Sequence, residues 1–213
     1  MMKTVLITGG EQGLGLALSD LFLDNGFRVI SFDLKKSKSQ KNKEFFEVDI
    51  SVESQVVEAL KNVDDVDILI NNAAIMRRGS TFSSSLDDFD ALFSVNVKGV
   101  WLVTKHVLSK LSFGAKVVMV SSRHSSLPSN PGLYGLSKKN VELLGVLLEK
   151  EDLFQRKGLV VKTAILGPFR SKLSETGYDK VEYSRRNLLG CEVVAKKVFD
   201  FLLSDEKVFV FNS

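Results

Sequence analysis

Tyr134 and Lys138 stand four residues apart in the run Tyr-Gly-Leu-Ser-Lys, twelve residues after Ser122. On a helix that spacing stacks a phenol and an ammonium on one face. A hydroxyl delivered from a separate strand can then meet the phenol, and the trio could exchange a proton with an oxygen on a bound molecule. Tyrosine is a weak acid, with an ordinary pKa of about 10. A cation about 4 Å away contributes roughly 4 kcal/mol of gross Coulomb energy at an effective dielectric of about 20. At about 1.36 kcal/mol per pKa unit, that lowers the phenol by at most about three units. Desolvation pushes the other way. The arrangement works only where the ammonium is close and the site stays partly polar. Exposed Tyr–Lys pairs of this spacing are common on helices, so the rest of the chain has to supply the argument.

It does so first at the other end. The apolar run Val5-Leu6-Ile7 passes into Thr8-Gly9-Gly10-Glu11-Gln12-Gly13-Leu14-Gly15 and then at once into a helical pattern. Gly9 would make a tight turn, Gly13 would admit a pyrophosphate, and Gly15 would allow close helix–strand contact, with the helix N-terminus facing the phosphates. A purely structural glycine turn is the competing explanation. Asp33 ends the second apolar run, about 20 residues past the turn, where a carboxylate accepts both adenosine ribose hydroxyls and repels a 2′-phosphate. Glu11 and Gln12 occupy places where a basic residue would favour that phosphate. These features prefer NAD(H). Lys35 and Lys36 are the counterweight and keep NADP(H) open. With a dinucleotide at one end and the phenol at the other, the residues fit hydride exchange between a carbinol carbon and a nicotinamide. The protein would supply orientation and proton transfer, and no metal is called for.

Elements must alternate to hold this together. Short strand-like runs fall at Val5–Ile7, Val29–Phe32, Phe45–Val48, Val66–Ile70, Val117–Val120, Leu159–Leu166 and Val208–Val210. Helical patterns lie between them: Leu14 to Leu23 with an Asn25-Gly26 stop, a run to Leu60 capped by Ser51, one long helix from Leu86 to Leu111, another from Leu133 to Phe154, and a last from Cys191 to Leu203. The spacing predicts an α/β fold, a doubly wound seven-stranded parallel sheet of order 3-2-1-4-5-6-7 with helices on both faces. The 213 residues suit a single domain, with 172–186 as the one candidate substrate lid.

Composition narrows the class. A net charge of +3 is too small to argue for nucleic acid. Lys35, Lys36, Lys38, Lys41 and Lys43, interleaved with polar residues, read as a solvated loop. One cysteine, Cys191, excludes an internal disulfide and a cysteine metal cluster and suits the cytoplasm. The chain reaches an apolar strand within three residues, leaving no room for a signal peptide, and no apolar run approaches the roughly 18 residues of a membrane span.

Six ordered segments resemble the short-chain dehydrogenase/reductase superfamily over essentially the whole chain: Thr8 to Gly15, Val48-Asp49-Ile50, Asn71-Asn72-Ala73-Ala74, Asn96, Val120-Ser121-Ser122, and Tyr134 with Lys138. The resemblance implies a Rossmann fold and an NAD(P)-dependent alcohol dehydrogenase or carbonyl reductase. It implies that Thr8, Gly9, Gln12, Gly13, Leu14 and Gly15 hold the cofactor, with Asp33 on the ribose. Asp49 would sit beside the adenine and Ile50 would offer it a backbone N–H. Asn72, Ala73 and Ala74 would bring backbone against the cofactor, although most relatives carry glycine where Ala74 stands. Asn96 would hold a water that relays protons to Lys138, and Lys138 would also bind the nicotinamide ribose. Ser122 would hydrogen-bond the substrate oxygen and Tyr134 would exchange its proton. The usual serine–tyrosine spacing is one longer and would select Ser121. Ser122 is preferred, because a loop loses a residue more easily than a buried strand shifts register.

The chain departs from the pattern after the sixth strand. In Leu166-Gly167-Pro168-Phe169-Arg170-Ser171, Leu166 replaces a proline, Gly167 fits the glycine, and Phe169 takes an aliphatic place whose backbone N–H would meet the carboxamide. The lid carries Tyr178, Tyr183, Arg185 and Arg186 and suggests a polar or anionic substrate. His106 reads as a packing or surface residue. His124, Arg123 and Met76-Arg77-Arg78 are peripheral candidates. Apolar positions on the helices of Asn96 and Tyr134 (Val100, Trp101, Val103, Leu143, Leu144, Val146, Leu147) exceed one buried face and predict a homodimer or homotetramer. Two other functions fit the same fold: a cofactor-sensing protein without chemistry, and an isomerase or dehydratase that uses the cofactor transiently.

Overall fold

Seven parallel strands run through the middle of the molecule in the order β3-β2-β1-β4-β5-β6-β7, the order expected from the sequence. We describe the fold from a computed structural model covering residues 2–39, 41–77, 79–126, 132–177 and 187–212. The strands are β1 (Thr4–Thr8), β2 (Arg28–Asp33), β3 (Glu44–Glu47), β4 (Val66–Asn71), β5 (Leu111–Ser122), β6 (Val160–Leu166) and β7 (Val208–Phe211). The helices are α1 (Gly13–Asp24), α2 (Glu53–Leu60), α3 (Leu86–Phe93), α4 (Val100–Val107), α5 (Gly132–Leu148), α6 (Asp152–Arg156), α7 (Lys172–Gly177) and α8 (Cys191–Leu203).

Every residue of β1 is buried, as a parallel strand covered on both faces requires. Alternation then sorts its side chains. Leu6 joins the layer under α2, α4 and α5, with Leu69, Val117 and Met119. Val5 and Ile7 join the layer under α1 and α8, with Leu18, Phe22, Val198 and Phe199. No described helix is long and apolar enough to cross a membrane.

Several boundaries differ from the sequence reading. The expected long helix to Leu111 is α3, a π-helical turn at Ser94–Gly99, and α4, with Leu111 already the first residue of β5. Its end is set from far away: Lys157 Nζ donates to the carbonyls of Leu108, Ser109 and Leu111 at 3.2, 3.0 and 2.7 Å. β5 is also far longer than Val117–Val120, with a register shift against β4 between Val66 and Ile68. The helix expected to reach Phe154 stops at Leu148. The charged run Glu149-Lys150-Glu151 offers nothing to bury, and a fresh turn, α6, swings Phe154 into the core. Ser51 is not the cap of α2. Its hydroxyl donates to Asp49 Oδ1 at 2.7 Å, and Val52 holds the cap position. Lys43 is buried rather than solvated, because the carboxylate of Glu11 lies 3.3 Å from its ammonium.

The C-terminal ends of β1, β4, β5 and β6 converge on one edge of the sheet, and α5 is laid against it. Its approach depends on Gly135: a Cβ there would stand 2.3 Å from the His124 carbonyl oxygen. Gly135→Ala is therefore expected to lower stability by about 1–3 kcal/mol, the usual penalty for overpacking, and to push Tyr134 off the strand end. Urea unfolding checks the first effect. An unchanged midpoint would show that the turn after β5 yields freely.

Candidate active site

A cleft of about 320 Å³ opens at that edge, within the size range of small-molecule pockets. Gly9, Gln12, Gly13 and Leu14 form one wall; Asn72, Ala73 and Ala74 lie along its floor. Ser121, Ser122, Tyr134 and Lys138 form the opposite wall, and Gly167 and Phe169 close the end. Of the residues singled out in the sequence, Thr8, Gly15, Asp33, Asp49, Ile50 and Asn96 lie outside the lining.

The glycine turn is built as a phosphate cradle. Gly9 and Gly13 hold positive φ values of 67° and 52°, which residues with a Cβ rarely adopt. A Cβ at Gly15 would fall 1.9 Å from the Gly9 carbonyl oxygen. The first turn of α1 has no side-chain cap and no acidic residue, so its N–H groups and positive dipole end remain for an anion. The turn is clamped from both sides. Gly9 N donates to Phe32 O at 2.7 Å, and Asn72 Nδ2 donates to the carbonyls of Thr8 and Gly9 at 3.0 and 3.1 Å. Thr8 Oγ1 accepts from Asn72 N and Ala73 N at 3.0 and 3.1 Å. Thr8 therefore braces the turn rather than facing the cleft.

Asp33 ends β2, as the sequence suggested, with Oδ2 accepting from Glu11 N at 3.0 Å and Oδ1 from Leu34 N at 2.7 Å. Both bonds orient the carboxylate and leave lone pairs on each oxygen. Glu11 does not face the cleft. Its Oε2 accepts from Ser37 N at 2.7 Å and its Oε1 faces Lys43. Burial works to raise its pKa, but Ser31, Ser37 and Lys43 outweigh it and hold the carboxyl below its ordinary value. Ser31 Oγ makes no hydrogen bond of regular geometry, so it acts as a nearby dipole. Asp49 is occupied locally, Oδ1 with Ser51 and N with Gln55 Oε1. Ile50 is buried against Gly99.

At the other end, Tyr134 and Lys138 share one face of α5, both buried. Lys138 Nζ donates to Val120 O at 2.9 Å and lies 5.9 Å from the centre of the Tyr134 ring. The two serines part company, as neighbours on a strand must. Ser121 Oγ turns to α5, 2.6 Å from Glu142 Oε1 and 3.2 Å from Lys138 O. Ser122 Oγ accepts a longer bond from His124 N at 3.3 Å. Asn96, in the π-helical turn, is fully buried. Its Oδ1 accepts from Ile75 N at 2.8 Å, and its Nδ2 donates to Ile75 O and Ser137 Oγ at 2.9 and 3.0 Å. These bonds tie the chain after β4 to α5 through Ser137, which itself donates to Tyr134 O at 2.8 Å.

Three contributors escaped the sequence reading. Glu142, four residues beyond Lys138, accepts from Ser121 and Ser125 and pairs with Lys139 at 2.8 Å; the i+4 spacing was the available signal. Ser137 and Lys43 had none. His124, a peripheral candidate, packs edge-on against Tyr134 with centroids 6.0 Å apart. Arg123 is turned to Asn212 Oδ1, Arg77 pairs with Asp88 at 3.5 Å, and His106 pairs with Glu53 at 2.7 Å. Arg170 and Gly190, which flank the expected lid segment in the sequence, form a parallel bridge. Arg78, Tyr178, Tyr183, Arg185 and Arg186 lie outside the described residues.

A parallel doubly wound sheet carrying a dinucleotide-type glycine turn and a Tyr–Lys pair at one edge defines a class of nicotinamide-dependent oxidoreductases. Residues 3–181 match the model of the short chain dehydrogenase family, and the chain belongs to that family. The oxidoreductase UcpA of Salmonella typhimurium is 30% identical over 191 residues, which span 82% of this chain and 72% of that protein. Short-chain dehydrogenase reductase 5 of Arabidopsis thaliana is 27% identical over 235 residues, spanning 98% of this chain and 90% of its own. A short chain dehydrogenase of Burkholderia cenocepacia, solved in complex with NADP, superposes with a TM-score of 0.86 at 20% identity, covering 100% of this chain and 89% of that one. That last likeness is one of fold.

Burial brings the Lys138 pKa down from its ordinary 10.5 to about 8. The folded value lies below the unfolded one, so the buried charge penalises folding below about pH 8 and the penalty fades as pH rises to about 10.5. Relative to Lys138→Met, the wild-type protein is expected to gain stability over that window, on the order of 3 kcal/mol in all. Urea titrations at stepped pH measure it, and a difference that stays flat with pH contradicts the buried-cation geometry.

Proposed function

We propose that the protein interconverts an alcohol and a carbonyl with NAD(H), using Tyr134 as the proton donor and acceptor. The observation that carries this reading is one cleft walled by the glycine turn on one side and by Ser122, Tyr134 and Lys138 on the other. Bound nicotinamide cofactor would supply or take up the hydride. Gly9, Gln12, Gly13 and Leu14 would hold the pyrophosphate and Asp33 the adenosine ribose, with Asp49 and Ile50 toward the adenine. Asn72, Ala73, Ala74, Gly167 and Phe169 would flank the nicotinamide half.

In this reading the chain's own groups divide the work. Tyr134 transfers a proton to or from the substrate oxygen. Ser122 donates a hydrogen bond to the same oxygen and polarises it. Ser122 takes this part because Ser121 is committed to Glu142 and the Lys138 carbonyl. Lys138 lowers the phenol's pKa through its charge and reaches the nicotinamide ribose. Asn96 holds the turn of chain beside Tyr134 and anchors a proton path to Lys138.

NAD(H) is favoured by the carboxylate of Asp33, and the NADP in the Burkholderia structure is the argument for the phosphorylated form. The substrate is a small alcohol or carbonyl compound with polar character, and the single cysteine supports a cytoplasmic setting. Trp101 on α4 with Leu136, Leu143, Val146 and Leu147 on α5 leave an apolar face exposed. We assign that face to pairing of subunits in a homodimer or homotetramer, and sedimentation showing only monomer at micromolar concentration would refute it.

A panel of polar ketones and alcohols, screened with NADH and NADPH, tests the activity. Tyr134→Phe should lose about 10²–10⁴-fold in kcat, the usual worth of a positioned acid–base group, while dinucleotide affinity stays within a few fold. Ser122→Ala should lose more turnover than Ser121→Ala. Full activity in Tyr134→Phe removes the proposed role.

A further inference from the structure

Asp33, at the end of β2, is not the only charge beside the glycine turn. Its Oδ2 is tied to Glu11 N at 3.0 Å, and the Glu11 side chain runs inward from that same residue to Lys43. The side chains of Glu11 and Lys43 are each 2% exposed. Lys43 Nζ also reaches Gly10 O at 3.2 Å. The end of β2, the glycine turn and the residue before β3 thus share one cluster of two carboxylates and one ammonium.

We propose that Glu11 and Lys43, acting with Asp33, determine which dinucleotide this chain accepts. The inference rests on the cofactor reading above and extends it. NAD(H) and NADP(H) present the same pyrophosphate to the glycine turn, so whatever disturbs the turn affects both alike and cancels in their ratio. They differ at the ribose 2′ position, a neutral hydroxyl in one and a phosphate of nearly two negative charges in the other. Their ratio therefore reads the net charge of the cluster. With Lys43 offsetting Glu11, that net charge is Asp33's single negative, which tolerates a diol and opposes a phosphate. Buried charges are poorly screened by salt, so a change at either member is felt at the ribose. The exposed Lys35 and Lys36 are screened and weigh less.

Fluorescence titration of NADH and NADPH against wild type, E11Q, K43M and E11Q/K43M tests this. E11Q neutralises the cluster and should move the ratio of dissociation constants about tenfold toward NADPH. K43M makes it doubly negative and should move the ratio about tenfold toward NADH. The double variant restores the wild-type net charge and should return the ratio to within about threefold of wild type. Ratios unchanged in folded E11Q and K43M that still bind NADH would overturn the proposal. If E11Q fails to fold around an unpaired ammonium, K43M against the double variant decides: about tenfold supports the pair, and no difference overturns it. Wild type that binds neither dinucleotide would sink the cofactor reading itself, and this inference with it.

Discussion

The hydrogen bond from the Lys138 ammonium to the Val120 carbonyl is the contact on which the site depends. It is made inside the protein, where an unpaired ammonium is costly, so the backbone of β5 and the face of α5 are held in one relative position. Tyr134 stands one helical turn before Lys138, and Ser122 two residues after Val120. Fixing one contact therefore fixes where a phenol and a hydroxyl meet the cleft. Glu142 and Ser137 add further ties on either side, to the strand end and to the π-helical turn.

The same economy appears at the glycine turn. Glycines make up much of the turn that lines the cleft there. Backbone is brought to the surface by Gly9 and Gly13, held by Asn72 and by the carbonyl of Phe32, and left without a side-chain cap at the start of α1. Such a surface is preorganised for an anion and needs little rearrangement on binding. The acidic and basic residues of the region, Asp33, Glu11 and Lys43, adjust the local charge instead.

Sheet order, the position of the glycine turn, and the shared face of Tyr134 and Lys138 were legible because each is written in local pattern. Strand–helix alternation and i,i+4 spacing need no knowledge of distant partners, and α8 was bounded correctly at Cys191–Leu203 for that reason. What escaped was decided by contacts remote in sequence. Lys157 ends the helix before β5 from about fifty residues away. Phe154 sits on a separate turn, α6, where it is buried in the core. Lys43 looked like one lysine among five in a polar loop and is buried because Glu11, thirty-two positions earlier, turns inward to meet it. Ser51 carried the pattern of a cap, yet the carboxylate two residues before it won its hydroxyl. Local signals identified the actors, and tertiary pairing set their charges and bounds.

A structure of the protein with NADH bound tests the central claim most directly. The account predicts the nicotinamide packed beside Tyr134 and Ser122, leaving the space between Tyr134 Oη and Ser122 Oγ to the substrate oxygen, with Lys138 Nζ within about 3 Å of a ribose hydroxyl and still held beside β5. A nicotinamide placed outside that wall, or a Lys138 that contacts no part of the cofactor, would contradict it.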